Sequence, residues 1–176
     1  MYLSNVLLYS CSFSANHRLF ITLQDRHNGN VLIDSAGHIC HIDYGFILGI
    51  SPGGNLGFEN AAFKLSPEMV ELLGGVNSQP FFRFVELTVR GFLVARKLMS
   101  PVMSVVSSMA DSSLPCFLHS KNCISNTRAR FFPDKTDSEA AKLMRGLIYD
   151  SADKWTTKAY DGIQKLQNNI YSDTWR

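Results

Sequence analysis

A predicted β-hairpin with a polar motif at each end constrains this chain more than any other feature of its sequence. Val31–Ile33 and Ile39–Ile42 are short apolar runs, and the residues between them include Asp34–Gly37, which has the composition of a turn. The motif before the hairpin is DRHNGN at residues 25–30, and the motif after it is HIDYG at residues 41–45. The sequence therefore predicts two short strands that link two groups of polar side chains.

The chain beyond the hairpin is predicted to be mostly helical. Residues 45–63 are rich in Gly, Pro and Asn, and they are interpreted as a long loop of the kind that often carries function. Five helices are predicted after this loop. The first begins at Ser66 and Pro67 and ends at Gly74 and Gly75, and the second is a longer helix over Phe81–Met99 that is buried on most sides. The others are Val102–Met109, Ala140–Tyr149 behind a capping box of Thr136 and Glu139, and an amphipathic helix over Trp155–Ile170. This order predicts an α+β fold in which a short β-hairpin is followed by a mostly α-helical bundle.

Composition narrows the class of protein. With 176 residues, of which 45% are hydrophobic, the chain is long enough for one domain with a real core. Lys and Arg total 17 against 15 for Asp and Glu, a net charge of +2, which argues against nucleic acid as a partner. Four separated cysteines without a C-x-x-C pair predict free thiols in a reducing compartment. No apolar run reaches the roughly 18 residues of a spanning helix, so membrane contact is expected to be peripheral.

Three side chains around the hairpin match the needs of phosphoryl transfer. Asp25 is followed five residues later by Asn30, and Asp43 comes 13 residues after Asn30. Phosphoryl transfer requires a group that orients and deprotonates the attacking hydroxyl, together with oxygen ligands for the divalent cations that bridge the nucleotide phosphates. Taken alone, Asp-Arg-His is more often a surface turn, and the joint spacing is what favours a kinase.

The Asp-Arg-His order, inverted relative to the His-Arg-Asp of protein kinases, resembles the phosphoinositide kinases and their large relatives. HIDYGFILGISPGGNLGFENAAFKL is similar to the activation segment of type III phosphatidylinositol 4-kinases. EMVELLGG, FVELTVRGFLVAR, LPCF, SEAAKLM and WTTKAYDGIQKLQ resemble the same family, with the balance towards its alpha type. The resemblance covers about residues 24–169.

The resemblance implies a protein-kinase-like C-terminal lobe over residues 21–171, with a catalytic loop at 25–30 and an activation segment at 43–64. Residues 1–20 diverge from the family, and residues 172–176 form a tail. No G-x-G-x-x-G precedes Asp25, so the N-lobe that grips ATP is expected to be missing from this chain.

The resemblance also implies roles for individual residues. Asp25 would position or deprotonate the inositol hydroxyl, with His27 as a second candidate for proton handling. Arg26 would support the loop, and Lys64 would contact a lipid phosphate. Asn30 and Asp43 would bind Mg²⁺ or Mn²⁺, and through the metal ion they would bind ATP. His41 is interpreted as structural. Tyr44 stands where this family of motifs usually has Phe, and its hydroxyl needs a partner if it is buried.

The substrate and its membrane can be inferred in the same way. Residues 44–63 contain no Lys or Arg, which favours phosphatidylinositol over a lipid that is already phosphorylated. Lys154, Lys158 and Lys165 lie beside the apolar stripe of the last predicted helix. This helix either lies on an anionic leaflet or packs on the lobe with solvated lysines. The protein is expected to be cytoplasmic and peripheral on the cytosolic face of membranes, in particular of the plasma membrane. Scaffold or adaptor proteins are expected as partners of the full-length enzyme.

Two functions remain open at this point. The chain is either the catalytic half of a lipid kinase that converts phosphatidylinositol to phosphatidylinositol 4-phosphate, or a truncated, inactive isoform that binds lipid or a scaffold. In both cases the chain alone is expected to have little or no kinase activity, because the ATP clamp supplies much of the positioning that drives catalysis.

Overall fold

The computed structural model describes residues 2–21, 28–50, 65–118 and 122–153. In chain order the elements are α1 Tyr2–Ile21, a 3₁₀ turn Asn28–Asn30, β1 Val31–Ile33, β2 Ile39–His41, α2 Pro67–Leu72, α3 Gln79–Lys97, α4 Met99–Ser108, α5 Pro115–Leu118, α6 Cys123–Ala129 and α7 over residues 137–153. The described part of the chain is therefore helix-rich with one small antiparallel sheet, in agreement with the predicted α+β class. None of its helices is both long and apolar enough to cross a bilayer.

The predicted hairpin is confirmed. β1 and β2 pair antiparallel with Val31 opposite His41. In the turn, Asp34 Oδ1 accepts hydrogen bonds from the backbone N–H of Ala36 at 2.9 Å and of His38 at 2.8 Å. His38 Nδ1 lies 2.8 Å from Asp34 Oδ2, and this contact lowers the pKa of the Asp34 carboxyl. The aspartate thus closes the turn through its own side chain.

Helix α1 occupies a region to which the sequence analysis assigned no element. It lies against α3: the Ser12 hydroxyl donates to the carbonyl of Phe84 at 3.4 Å, and Asn16 Nδ2 donates to the carbonyl of Thr88 at 3.0 Å. Because both residue numbers rise by four from one contact to the next, the two helices run in the same direction. The buried face of α1 includes Leu8, Cys11 and Ala15.

The main core forms where α1, α2, α3 and α7 meet. The buried stripe of α3 consists of Phe81, Phe84, Val85, Thr88, Val89 and Phe92. The prediction that this helix is buried on most sides is wrong, because its other face carries the ion pairs of Glu86 with Arg83 and Arg90 and leaves Val94 exposed. The helix is amphipathic, as expected of one that covers a core from a single side.

Two predicted helix N-caps are confirmed. The Ser66 hydroxyl accepts a hydrogen bond from the backbone N–H of Met69 at 3.4 Å, and Pro67 occupies the first helical position of α2. Before α7, Glu139 Oε2 accepts from the backbone N–H of Thr136 at 2.9 Å, and the Thr136 hydroxyl accepts from the N–H of Glu139 at 3.3 Å. This reciprocal pair is the predicted capping box.

Other helix bounds differ from the prediction. α4 begins at Met99 rather than Val102, with Pro101 in its first turn, where the missing N–H of proline costs little. α6 was not predicted, and α7 covers 137–153 rather than 140–149. The predicted helix over 155–170 lies outside the described residues.

A second, smaller core joins residues 47–50 to α4, α5 and α6. Leu48, Cys116 and Cys123 are its buried members. All four cysteines of the chain are free thiols, as predicted.

Candidate functional site

Two of the predicted site residues lie at the open end of the hairpin. Asn30 directly precedes β1, and Asp43 follows the last residue of β2 by two positions. The backbone N–H of Ile42 donates to the carbonyl oxygen of Asn30 at 3.2 Å, which continues the ladder one pair beyond Val31 and His41. The strand register therefore places Asp43 one residue past the partner of Asn30.

These two side chains have different surroundings. Asn30 is buried at the end of the 3₁₀ turn, whereas Asp43 is exposed. The backbone of Asp43 has a φ of 60°, a left-handed conformation that aspartate adopts more readily than most residues. Its Oδ1 accepts a hydrogen bond from the backbone N–H of Gly45 at 3.1 Å. A β-carbon on Gly45 would lie 3.2 Å from the same oxygen, so glycine leaves room for this local turn.

His41, between the hairpin ladder and Asp43, contacts α1. Its Nε2 lies 2.6 Å from the hydroxyl oxygen of Ser14. The contact fixes β2 on the helix that packs against α3, which agrees with the structural role predicted for His41. Ser14 was missed by the sequence analysis. The signal that could have found it is the spacing of Leu8, Cys11 and Ala15, which marks α1 as a helix with one buried face.

The remaining predicted site residues lie outside the described part of the chain. They are Asp25, Arg26, His27 and Lys64. The structure places Asn30 and Asp43 at one end of the hairpin, and every role assigned to a site residue stays a prediction. Tyr44 is half exposed.

The donor types at the hairpin end suit a hard divalent cation. A carboxylate and an amide oxygen are ligands that Mg²⁺ prefers, and Mg²⁺ usually takes one or two protein carboxylates while water and substrate phosphates fill its other positions. Asp43 and Asn30 therefore fit a cation that is shared with a phosphate-bearing ligand.

A separate apolar groove of about 470 Å³ lies between α1, α3 and α4. Its lining includes Phe13, Leu87, Gly91, Leu98 and Val102, and none of its lining residues belongs to the hairpin. The groove is therefore distinct from the candidate site.

The family of the chain follows from comparison with known proteins. A family model described as "Phosphatidylinositol 3- and 4-kinase" matches residues 8–119, which is more than half of the chain. The chain belongs to this family. The match includes the hairpin with Asn30 and Asp43 and extends from α1 through α5.

Individual relatives narrow the similarity to phosphatidylinositol 4-kinases. Phosphatidylinositol 4-kinase alpha 2 of Arabidopsis thaliana is 45% identical over 170 residues, which are 95% of this chain and 32% of that protein. The beta enzyme of Xenopus laevis is 45% identical over 151 residues, 85% of this chain and 18% of that protein. Phosphatidylinositol 4-kinase STT4 of Saccharomyces cerevisiae is 46% identical over 151 residues, 85% of this chain and 8% of that protein. The predicted resemblance is confirmed, and the chain spans a third or less of the length of these curated relatives.

Proposed function

We propose that this chain is the catalytic C-terminal part of a lipid kinase that transfers the γ-phosphate of ATP to the 4-hydroxyl of phosphatidylinositol, giving phosphatidylinositol 4-phosphate. The observation that carries the proposal is the strand register of the hairpin. It holds Asn30, the last residue of DRHNGN, and Asp43 at the same end of the hairpin. Membership of the family and relatives named phosphatidylinositol 4-kinases support the same conclusion.

Each predicted residue has one task in this reaction. Asp25 orients the inositol hydroxyl and accepts its proton, with His27 as the alternative acceptor, and Arg26 supports the loop. Asn30 and Asp43 would hold Mg²⁺ or Mn²⁺, which would neutralise charge on the ATP phosphates. Lys64, at the end of the activation segment, would contact a phosphate of the lipid.

The proposed lipid is unphosphorylated phosphatidylinositol. Residues 44–63 contain no Lys or Arg, whereas each additional phosphate on the inositol ring requires cationic partners. If the enzyme that carries this segment prefers a bisphosphate lipid, the substrate assignment is wrong.

The protein-kinase-like C-lobe over residues 21–171 requires an N-lobe to grip ATP, and we propose that a longer protein supplies it. Support comes from the hairpin, whose apolar residues Leu32 and Ile33 are both exposed. Apolar surface of this kind next to a predicted nucleotide site suits contact with a second lobe. Residues 172–176 would form a tail after the lobe.

The place of action follows from the substrate, which is a membrane lipid. We propose a cytoplasmic enzyme that is peripheral on the cytosolic face of membranes, including the plasma membrane, and that scaffold or adaptor proteins recruit in full-length form. Lys154, Lys158 and Lys165 would contribute about 1 kcal/mol each if they face an anionic leaflet. Vesicle binding that is unchanged when all three become Gln would remove this membrane contact.

A second candidate function is an inactive isoform that binds lipid or a scaffold. The observation in its favour is that no G-x-G-x-x-G precedes Asp25 in this chain. The transcript distinguishes the two functions. If the messenger RNA continues in frame upstream of Met1 and encodes a lysine-bearing N-lobe, the enzyme is favoured. If translation starts at Met1, the inactive isoform is favoured.

The function is tested with the longest translated product of the gene, assayed with phosphatidylinositol vesicles, labelled ATP and Mg²⁺. Asp25→Asn and Asp43→Asn should each lower kcat by at least about a hundredfold, since each removes a charge that acts on the reacting groups. Asp34→Asn is the matched control, because it makes the same change at the exposed turn of the same hairpin. Separation of the deacylated products identifies the phosphorylated position. A 3-phosphate product, or full activity of the Asp43 variant, would contradict the proposal.

A further inference from the structure

The hairpin that carries Asn30 and Asp43 depends on the helices for its position. Its two strands have three residues each, and an isolated two-stranded hairpin is marginally stable at best in water. Leu32 and Ile33 are exposed, whereas Ile39 packs against the main core. The place of the hairpin end is therefore decided by those side chains of β1 and β2 that contact the helices.

One such side chain is His41, the last residue of β2, which makes a short polar contact with α1. Its Nε2 lies 2.6 Å from the hydroxyl oxygen of Ser14, and the contact is partly buried. Either atom can donate the hydrogen, according to the tautomer of the imidazole. Partial burial limits competition from water, so this bond holds the end of β2 at one point on α1.

The part of α1 around Ser14 is itself fixed to the core. On one side of Ser14 in the sequence, the Ser12 hydroxyl donates to the carbonyl of Phe84 at 3.4 Å. On the other side, Asn16 Nδ2 donates to the carbonyl of Thr88 at 3.0 Å. Phe84 and Thr88 are fully buried in α3. The Ser14 hydroxyl is therefore held at a defined position relative to the core.

The position of His41 in turn determines where the two predicted cation ligands lie. Asp43 follows His41 by two residues, which is about 7 Å along an extended chain. The N–H of the residue between them, Ile42, donates to the carbonyl of Asn30 at 3.2 Å, so both strands move together at this end. The left-handed backbone of Asp43, with a φ of 60°, persists only when its surroundings hold it.

We propose that Ser14 is a positioning residue for the cation site of Asn30 and Asp43. Its hydroxyl holds His41, and His41 holds the end of the ladder to which both ligands belong. This inference rests on the proposed function, because the cation belongs to that function. Mg²⁺ requires near-ideal octahedral geometry, so a small displacement of one ligand relative to the other weakens its binding. Groups behind the ligands of a metal commonly tune its affinity in this way.

The positioning role is tested first without any metal, by hydrogen exchange in the folded 176-residue chain. The reporters are the backbone N–H groups of Ile42 and Gly45, which donate to Asn30 and to Asp43 Oδ1. In Ser14→Ala both should exchange at least about fivefold faster, the factor expected when one hydrogen bond is lost. Ser14→Thr keeps a hydroxyl and should exchange like the original chain.

The control for this experiment is Ser10→Ala, which makes the same change one turn earlier on α1, also at a half-buried position. It should leave exchange at the hairpin unchanged. The ring ¹⁵N signals of His41, recorded at constant pH, should shift in Ser14→Ala and stay the same in Ser10→Ala. Exchange at Met144 in the core should be equal in all variants. Unchanged hairpin exchange in Ser14→Ala, or faster exchange at Met144 as well, overturns the proposal.

The effect on the cation is tested with Mn²⁺ alone, whose binding to the same chains is followed by electron paramagnetic resonance. The Kd for Mn²⁺ should rise about fivefold in Ser14→Ala and stay unchanged in Ser14→Thr and Ser10→Ala. Asp43→Asn should abolish the binding, which locates the ion at the hairpin end. If the original chain and Asp43→Asn bind Mn²⁺ equally, the cation site of the proposed function is wrong. If only the Ser14→Ala effect is absent, the site stands and the positioning role is overturned.

Discussion

The Arg96 side chain hydrogen-bonds to several backbone carbonyls that are distant in sequence. At the end of α3, its Nε donates to the carbonyl of Phe131 at 2.8 Å, and its Nη2 donates to the carbonyl of Phe132 at 2.9 Å. The same guanidinium also contacts the carbonyl of Lys135 and the carboxylate of Asp137. It therefore joins α3 to the connection between α6 and α7 by a fork of donors that only arginine has.

Replacing this fork should cost stability in proportion to the bonds lost. Arg96→Lys keeps the charge but leaves partly buried carbonyls without donors, so the free energy of unfolding should fall by about 2 kcal/mol. Arg90→Lys on the same helix is the control, because Arg90 is 68% exposed and its ion pair with Glu86 is long at 3.5 Å. The control should change stability by less than about 0.5 kcal/mol. Urea unfolding of both variants checks the prediction, which fails if the two shifts are equal.

The residues that sequence reasoning could find are those whose partners are close in the chain. Asn30 and Asp43 are separated by a single hairpin, so local turn and strand signals placed them at one end. The partners of Arg96 lie between 35 and 41 positions away, and no local pattern points to them. His41 and Ser14, 27 positions apart, were out of reach for the same reason.

At the scale of elements, α1 was not predicted, and its apolar residues are interrupted by Ser10, Ser12 and Ser14. Ser12 donates to the carbonyl of Leu8 at 2.9 Å, four residues back in the same helix. This bond satisfies the Ser12 hydroxyl inside the core, so a serine is tolerated on the buried face of the helix. The capping box before α7 was found because both of its partners, Thr136 and Glu139, belong to one four-residue pattern.

The charge of that capping box makes the stability of the chain depend on pH. Hydrogen bonds from the backbone and side chain of Thr136 lower the pKa of Glu139 below its ordinary value of 4.5. A carboxyl whose pKa is lowered by folding stabilises the folded state above its unfolded pKa, and this contribution is lost as the pH falls through the folded pKa. The Glu139 contribution should therefore be present at pH 7 and decline below about pH 4.5.

Glu139→Gln isolates the charge, because glutamine keeps an oxygen that can accept the same bonds. The original chain should be more stable than this variant at pH 7, and the difference should shrink at pH 4, as measured by urea unfolding. Glu71→Gln, at an exposed position of α2, is the matched control. A difference that is the same at both pH values would show that the charge is not what matters.

At the scale of the whole molecule, the described chain contains one hairpin end with Asn30 and Asp43 and a helical core behind it. It spans 32% of the alpha 2 relative and 8% of STT4. Positioning of ATP between two lobes supplies much of kinase catalysis. The residues that grip the nucleotide could not be predicted, because no G-x-G-x-x-G motif occurs before Asp25.

The purified 176-residue chain should therefore show little or no phosphorylation of phosphatidylinositol in the presence of ATP and Mg²⁺. The assay uses labelled ATP, with the longest product of the gene as the positive control. Circular dichroism on the same sample shows whether the chain is folded, so that inactivity is not confused with misfolding. Robust, ATP-dependent turnover by the folded chain would refute the requirement for a second lobe.

The antiparallel pairing of Val31 with His41 makes the hairpin a spacer of fixed length. Inserting or deleting one residue between Asn30 and Asp43 shifts one strand past the other and turns its side chains to the opposite face of the sheet. Substitutions at exposed positions such as Leu32 and Cys40 do not have this effect. In functional copies of the gene, the exposed residues of this segment can therefore change, whereas the number of residues between Asn30 and Asp43 cannot.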